Sequence, residues 1–365
     1  MKFSIAREAL LAPIVQVVNV VERRQTLPVL ANFLLEADDA GLRITGTDME
    51  VEMVARAPAD VAQAGTVTVP ARKLVDICRA LPEGVTLNVQ RNEDKLALHA
   101  GRSRFTLATL PASEFPASDQ VEASSSHQVE EGQLHWLLDK TSFAMSHQDV
   151  RHYLNGLLLE FREGQLRAVA TDGHRLALAE VEAAIGGEPQ SVIVPRKGVL
   201  ELNRVLADSA EPVRVALGQA YLRVDRERLV LTTKLIDGRF PDYEAVIPLP
   251  GEQSLVVDRH AFIHALQRAA ILSNEKYRGV RLEMDSGLVK IVAHNPQQEE
   301  ATEEVEAEHD MGKLTIGFNV NYLLDALGAI EGEKVRIALK DANSSCLITE
   351  EDGDSIRQVV MPLKL

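Results

Sequence analysis

A chain of 365 residues, 45% hydrophobic and 25% charged, belongs among folded globular proteins, and this composition excludes a mainly disordered one. At roughly 100 to 200 residues per domain it holds two or three domains. With 39 Lys and Arg against 54 Asp and Glu, the net charge of −15 argues against gripping nucleic acid over the whole surface, though not against a local basic face.

Taken in chain order, the sequence opens with an alternating strand at Lys2–Ile5 and an apolar-striped helix at Glu8–Val21. Alternating runs follow at Gly41–Thr45, Leu87–Val89 and Leu96–His99, with a helix behind Val69-Pro70 between them. The Ser-rich stretch Pro116–Ser126 reads as a linker. A second strand and helix open at His127–Glu130 and Gln133–Met145, followed by strands at Leu157–Phe161, Leu166–Ala170 and Leu229–Thr233. After a second linker, Pro248–Gln253, come the strand Ser254–Val257, the helix Ala261–Leu272, and strands at Val280–Met284 and Leu347–Thr349.

This order contains a repeat of domain size. Val69-Pro70-Ala71-Arg72-Lys73 reads like Val194-Pro195-Arg196-Lys197-Gly198, an offset of 125, and Phe318-Asn319-Val320-Asn321 is a third copy. Thr47-Asp48 recurs as Thr171-Asp172 and Phe115-Pro116 as Phe240-Pro241 at the same period. The expected fold is therefore α+β: three similar domains at 1–120, 126–248 and 252–365, each with two helices packed on antiparallel sheet.

Charge is unevenly placed. Arg72, Lys73, Arg79, Arg196, Lys197 and Arg204 face only Asp76 and Glu201, a local excess of +4 on the second helices of the first two domains. The loop after the first helix adds Arg23 and Arg24, and the loop near residue 150 offers Gln148, Arg151, His152 and Tyr153. These are either solvated helix faces or one shared surface for phosphates that ignores base sequence. Gln297–Asp310 gathers Glu299, Glu300, Glu303, Glu304, Glu306, Glu308 and Asp310. It reads as a solvent-facing strand edge, or as the partner of Lys95, Arg102 and Arg104 in a second subunit. Phe105 and Leu107 lie beside the basic set, Ile271 and Leu272 offer an apolar patch, and opposite charge at opposite ends suits head-to-tail ring closure.

Two cysteines, Cys78 and Cys346, exclude a disulfide framework and a Cys-based zinc site, and their apolar neighbours predict buried free thiols in a reducing compartment. No apolar run reaches the ~18 residues of a bilayer span. Met1–Glu8 lacks a signal-peptide core, so a cytoplasmic protein is expected. The most enzyme-like string is Ala170-Thr171-Asp172-Gly173-His174-Arg175-Leu176, where Asp172 and His174 could be a base and its orienter. No nucleophile elbow, zinc-protease helix, phosphate loop or dinucleotide fingerprint accompanies it, and its repeat partner Gly46-Thr47-Asp48-Met49-Glu50 has no His. The ten His residues form no ligand-like cluster, so neither metal nor cofactor is expected.

Several strings together resemble the bacterial DNA polymerase III β sliding clamp family along the whole chain. They include Ser146-His147-Gln148-Asp149-Val150-Arg151, Tyr153-Leu154-Asn155-Gly156, Asp237-Gly238-Arg239-Phe240-Pro241-Asp242-Tyr243, Ser273-Asn274-Glu275-Lys276-Tyr277-Arg278-Gly279 and Val360-Met361-Pro362-Leu363-Lys364-Leu365. The resemblance implies a DNA clamp fold closing as a dimeric six-domain ring around duplex DNA. It implies a non-catalytic processivity factor without cofactors, opened by a clamp-loader ATPase. Arg24, Arg72, Gln148, His152 and Tyr153 fall where the family touches DNA, His152 replacing the first of two tyrosines common there.

The family's pocket takes short linear motifs of the replicative polymerase, clamp-loader subunits, translesion polymerases and mismatch-repair proteins. It maps onto Leu154, Thr171, Gly173, His174, Arg175 and Leu176, then Pro241, Val246, Tyr277, Asn319, Tyr322 and Ser345. It ends on Val359, Val360, Met361, Pro362, Leu363, Lys364 and Leu365, and Ala245 stands where some members carry Arg. The expected dimer interface comprises Lys73, Lys95, Arg102, Arg104, Phe105, Leu107, Ile271, Leu272, Glu299, Glu300 and Glu303.

Elementary geometry supports a dimer. Six helices with axes ~10 Å apart make a circle about 19 Å across, too narrow for a duplex once helix thickness is removed. Twelve make one about 38 Å across, leaving a hole of roughly 28 Å for a duplex about 20 Å wide. Competing expectations are a hydrolase built on Asp172 and His174, and a monomeric scaffold with no DNA role.

Overall fold

A computed structural model describes residues 1–22, 27–116, 122–248, 253–285, 287–309 and 312–364. The first third of the chain runs β1 (Lys2–Ala6), α1 (Arg7–Val17), β2 (Asn32–Asp38), β3 (Gly41–Thr47) and β4 (Val51–Ala57). It continues through β5 (Asp60–Gln63), β6 (Gly65–Pro70), α2 (Ala71–Ala80), β7 (Thr86–Asn92), β8 (Lys95–Ala100) and β9 (Ser103–Ala108). The second holds β10 (Ala123–Glu130), α3 (Glu131–Thr141), β11 (Gly156–Arg162), β12 (Gln165–Thr171) and β13 (Arg175–Glu182). Then come β14 (Gln190–Pro195), α4 (Arg196–Val205), β15 (Pro212–Gly218), β16 (Tyr221–Arg226) and β17 (Leu229–Lys234). The last third holds β18 (Ser254–Asp258), α5 (Arg259–Ala270), β19 (Gly279–Asp285), β20 (Leu288–His294) and β21 (Glu300–His309). It ends with β22 (Leu314–Asn319), α6 (Val320–Ala329), β23 (Lys334–Ala338), β24 (Cys346–Glu350) and β25 (Ile356–Val360).

Each third is thus a strand, a helix and three strands, written twice, with β5 added in the first. The threefold repeat of the sequence is resolved into a sixfold one. Among the described residues, five of the six helices start where a strand ends on a polar or proline residue, α1 following Ala6 instead: Asp258 accepts the Ala261 N–H at 2.7 Å and Asn319 the Asn321 N–H at 2.9 Å, each filling an orphan donor. The helix expected to Val21 stops at Val17, and Asn19–Val21 tighten into i→i−3 turns. This run of β-branched and Asn side chains is a poor helix continuation. It is still core, since Val20 and Val21 are buried. A Cβ on Gly46 would lie 2.7 Å from Val17 Cγ1, so the third strand can pass this turn only as glycine.

Two compact units emerge: Met1–Gly132 with Leu200–Leu235, and Gln133–Val199 with Ile236–Leu365. The middle third is therefore divided, because its sheets are each continuous with a neighbour's. In the first unit an eight-stranded sheet runs β10-β15-β16-β17-β4-β3-β2-β6, joined across thirds by the antiparallel pairing of β17 with β4, and a five-stranded sheet runs β5-β1-β7-β8-β9. In the second a twelve-stranded sheet runs β14-β11-β12-β13-β25-β24-β23-β18-β21-β20-β19-β22, joined across thirds by β13 with β25. In the second unit α5 and α6 bury Phe262, Leu266, Leu323 and Leu327 against strand residues including Phe318 and Ile337. Each such fully buried apolar side chain contributes about 1.5–3 kcal/mol.

Two sequence readings change. The Ser-rich Pro116–Ser126 is not all linker, because Ala123–Ser126 already belong to β10. Its Ser, His and Gln side chains hid an edge strand that needs only one apolar anchor, the buried Val129. The acidic run is an edge over only part of its length. Glu300–Glu306 pair with β20, whereas Ala307–His309 change partner to β18.

Candidate functional site

The site begins at the turn between β12 and β13. Thr171 Oγ1 donates to the Arg175 carbonyl at 2.6 Å and accepts the Gly173 N–H at 3.1 Å. Asp172 Oδ1 accepts the His174 and Arg175 N–H groups at 2.9 and 3.0 Å, and Gly173 sits at φ +86°. The turn between β3 and β4 repeats this bonding: Thr47 donates to Val51 at 3.0 Å, and Asp48 accepts from Glu50 and Val51 at 2.9 and 2.7 Å. Met49 holds the positive φ there at +76°. Thr-Asp is thus a turn-forming signal. Asp172 meets the backbone of His174, so the two residues do not form the base and orienter that their spacing allowed.

Beyond the turn, Arg175 is the centre of the site. Its guanidinium bonds Asp172 Oδ2 at 3.1 Å, the Phe143 carbonyl at 2.8 Å, and Asp325 on α6. It stacks 4.6 Å from the Tyr322 ring centroid and 5.3 Å from that of Phe143. Burial pushes the Tyr322 hydroxyl above its ordinary pKa. Phe143 and Asp325 had no sequence signal, since they lie 32 and 150 residues from Arg175 and only the fold brings them in.

Two walls rise from this centre. Arg175 and Leu176 pair with Val360 and Val359 of β25. The chain leaves the strand at Val360, but Met361 N–H still reaches the His174 carbonyl at 2.9 Å and Leu363 N–H the Gly317 carbonyl at 2.8 Å. The C-terminal tail is therefore fastened to both neighbouring elements without being a strand. Leu176 and Val359 join Leu158, Val169, Leu178, Ile193, Tyr243 and Leu347 in one buried cluster, with Tyr153 and Phe240 packed on it. Val246, next to Ile247 that packs on this cluster, and Met361, bonded to His174, stay exposed at 45% and 40%, and Tyr277 is 54% exposed. The arrangement is an apolar floor with a partly uncovered rim and one fixed cation.

The other expected pocket residues fall around this centre to differing degrees. Leu154 is buried, with its N–H on Arg151 and its carbonyl taking the Ser146 N–H. Asn319 caps α6, while Arg278, next to Tyr277, accepts the Val320 N–H at 2.8 Å. Ser345 precedes Cys346, which pairs with Val360. Pro241 is exposed beside Phe240, Pro362 is half-buried, and Lys364 is exposed. Leu365 lies outside the described residues.

Of the expected DNA-facing set, Arg24 lies outside the described residues. Arg72 is exposed on α2 and donates to the Val21 carbonyl at 2.8 Å. Gln148 and His152 are exposed on a loop braced by Asn155, whose side chain bonds both the N–H and the carbonyl of Asp149. Tyr153 is half-buried on the pocket cluster. Arg151 is clamped by Asp149 at 3.0 and 2.9 Å, which lowers the carboxyl to a pKa of about 2. Its Nη2 lies 3.1 Å from where a Gly173 Cβ would stand. The local excess of +4 stands as counted, since Glu201 is already subtracted in it, but it is not all free to face a ligand: Arg204 is paired with buried Glu201 at 2.9 Å and Arg196 turns to the Met145 carbonyl.

The expected dimer residues also sort themselves. Lys73, Lys95, Arg102 and Arg104 are exposed, and β9 ends its sheet. Ile271 is 76% exposed and Leu272 and Phe105 are half-buried, but Leu107 is buried by its own layer. Glu299 bonds Asn295 and Glu300 bonds Thr302 within the chain. Glu303 is on the inner face of β21, where Arg268 of α5 takes both its oxygens at 2.9 and 2.6 Å, so it is already paired. Among the described residues no three His, Cys, Asp or Glu side chains are grouped to hold a metal, and no helix is long and apolar enough to cross a membrane.

Profiles of the DNA polymerase III beta subunit match residues 1–119 (N-terminal domain), 128–242 (central domain) and 244–364 (C-terminal domain). The beta sliding clamp of Pseudomonas aeruginosa is 53% identical over the full length of both chains, and that of Escherichia coli K12 46%. The Pseudomonas clamp bound to griselimycin superposes with a TM-score of 0.97, and the Caulobacter crescentus polymerase III beta structure with 0.94 at 40% identity, each over the whole of both chains.

Proposed function

The chain belongs to the DNA polymerase III beta subunit family, the sliding clamps, which are non-catalytic processivity factors, and we propose that its Arg175-centred pocket docks short linear motifs. The occupants are segments of the replicative polymerase, clamp-loader subunits, translesion polymerases and mismatch-repair proteins. One observation carries the reading: a buried floor that includes Leu176 and Val359 adjoins the uncovered side chains of Val246 and Met361. A short peptide gains affinity by burying one or two apolar anchors, and fixed polar groups at the rim orient it. Arg175 is held rigid from four sides, so it offers such a group at little ordering cost.

The remaining surfaces follow from the same function. Arg24, Arg72, Gln148, His152 and Tyr153 meet the DNA backbone loosely and without regard to sequence. A second copy joins through Lys73, Lys95, Arg102, Arg104, Phe105, Ile271, Leu272 and Glu300, closing a homodimeric ring of three domains per chain (1–120, 126–248 and 252–365). The protein works in the cytoplasm, with the chromosome.

Griselimycin, bound by the Pseudomonas relative, is the probe for the pocket. Titration by calorimetry is expected to show saturable binding that Met361→Asp, which sets a charge on an exposed apolar rim, weakens at least about tenfold. Equal affinity for both proteins would remove the pocket from this site.

A further inference from the structure

Behind the pocket runs a chain of charged and phenolic groups that the motif-binding reading does not use. Tyr243 is buried with its ring in the pocket floor, 6.4 Å edge-on from Phe240. Its hydroxyl accepts from Arg167 Nη1 at 2.9 Å and Arg162 Nη2 at 3.1 Å, and donates to Glu160. The next residue, Glu244, accepts from the same two guanidiniums at 2.9 and 3.1 Å. Arg167, itself buried on β12, passes on to Glu180 of β13 at 2.8 Å, and Glu180 accepts from Arg357 of β25 at 3.0 Å.

The two ends of this network are the two walls of the pocket. Tyr243 and Glu244 begin the short 3-10 turn Glu244–Val246, and the Val246 N–H hangs on the Tyr243 carbonyl at 3.2 Å. Arg357 is three residues before Val360, where the opposite wall pairs with Arg175. The rim segment is otherwise loop, with no strand ladder to fix its distance from β25.

We propose that Tyr243, Glu244 and Arg167 are positioning residues that hold the Pro241–Val246 rim at a set distance from the Val359–Met361 wall, so that the pocket is formed before its ligand arrives. This rests on the pocket reading above. A slot whose walls are tied through one buried guanidinium loses little freedom on binding. Supporting groups of this kind fix a site's geometry without touching the ligand.

The test uses the full-length protein, griselimycin and amide hydrogen exchange. Tyr243→Phe keeps the ring in the floor and removes only the hydroxyl. It is expected to weaken griselimycin about tenfold, mainly through faster dissociation. The Val246 and Ile247 amides should exchange faster while those of β11–β13 keep their protection. Glu244 has a half-exposed side chain whose loss leaves the core intact, so Glu244→Ala is the second variant. It should repeat the loss, and Glu244→Gln, which keeps an acceptor, should restore most of the affinity. Unchanged affinity in Tyr243→Phe and Glu244→Ala, with the wild type binding, would overturn the positioning role and leave the pocket reading intact. Faster exchange throughout β11–β13 would overturn it too, as a general core defect. A wild type that does not bind would sink the pocket reading and the positioning role with it.

Discussion

At the scale of single residues, Arg175 concentrates the physics of the pocket. Its planar fork is shared by Asp172, Asp325 and the Phe143 carbonyl, and it lies over the rings of Tyr322 and Phe143. A lysine keeps the charge but cannot bond in three directions in one plane or stack as well. Arg175→Lys is therefore expected to lower griselimycin affinity about tenfold while the fold survives; equal dissociation constants would show that any cation suffices. The cysteines give a pH prediction. Burial raises Cys78 to about 11 and Cys346 to about 12 from an ordinary 9.0. The folded state thus holds these protons more tightly than the unfolded one. Their contribution to stability is complete below pH 9.0 and is lost as pH climbs through 11 and 12. Thiol reagents at pH 8 should label neither residue until denaturant unfolds the chain, and prompt labelling of the native protein would contradict the burial.

At the scale of elements, the sequence was informative where one face of a helix or strand carries all the apolar residues. Helices α2 and α4 were legible for that reason, and the Thr-Asp turns because their side chains bond locally; α1, whose Leu11, Ala12 and Val15 lie off its buried face, was read past its end. What stayed hidden depends on partners far along the chain. Nothing local in Arg175 or Arg357 says that β13 and β25 are neighbours, yet that ladder builds one pocket wall. Likewise Glu303 looked like its acidic neighbours until alternation along β21 turned it toward Arg268. The far side of Glu300–Glu306 carries no ladder among the described residues, and β9 ends its own sheet. Two such open edges are where antiparallel strands of two copies can add. Ile271, 76% exposed, is the apolar contact such an interface would bury. Ile271→Asp should shift the sedimentation velocity profile from dimer to monomer without changing the circular dichroism. A variant that stays dimeric would exclude Ile271 from the interface.

At the scale of the whole molecule, a net charge of −15 opposes general attraction to DNA, itself a polyanion. The contradiction dissolves if the duplex is enclosed and not gripped. Acidic outer surface then discourages stray contact, while exposed cations such as Arg72 centre the threaded duplex. The hole of roughly 28 Å expected from twelve lining helices would leave a watery gap around a duplex about 20 Å wide, so each contact is expected to be weak, screened by salt and blind to sequence. Retention must come from topology. That distinguishes enclosure from affinity by one operation on the DNA. Protein loaded onto nicked circular DNA by a clamp loader should stay with the circle through gel filtration. Cutting the circle once should release it, because an end is now available and no bond has to break. Moderate salt should barely affect retention on the circle, whereas a gripping protein would lose affinity steeply with salt and hold linear and circular DNA alike. Persistence on the cut DNA would therefore mean that the cations bind and do not merely centre, and the ring would have to be abandoned.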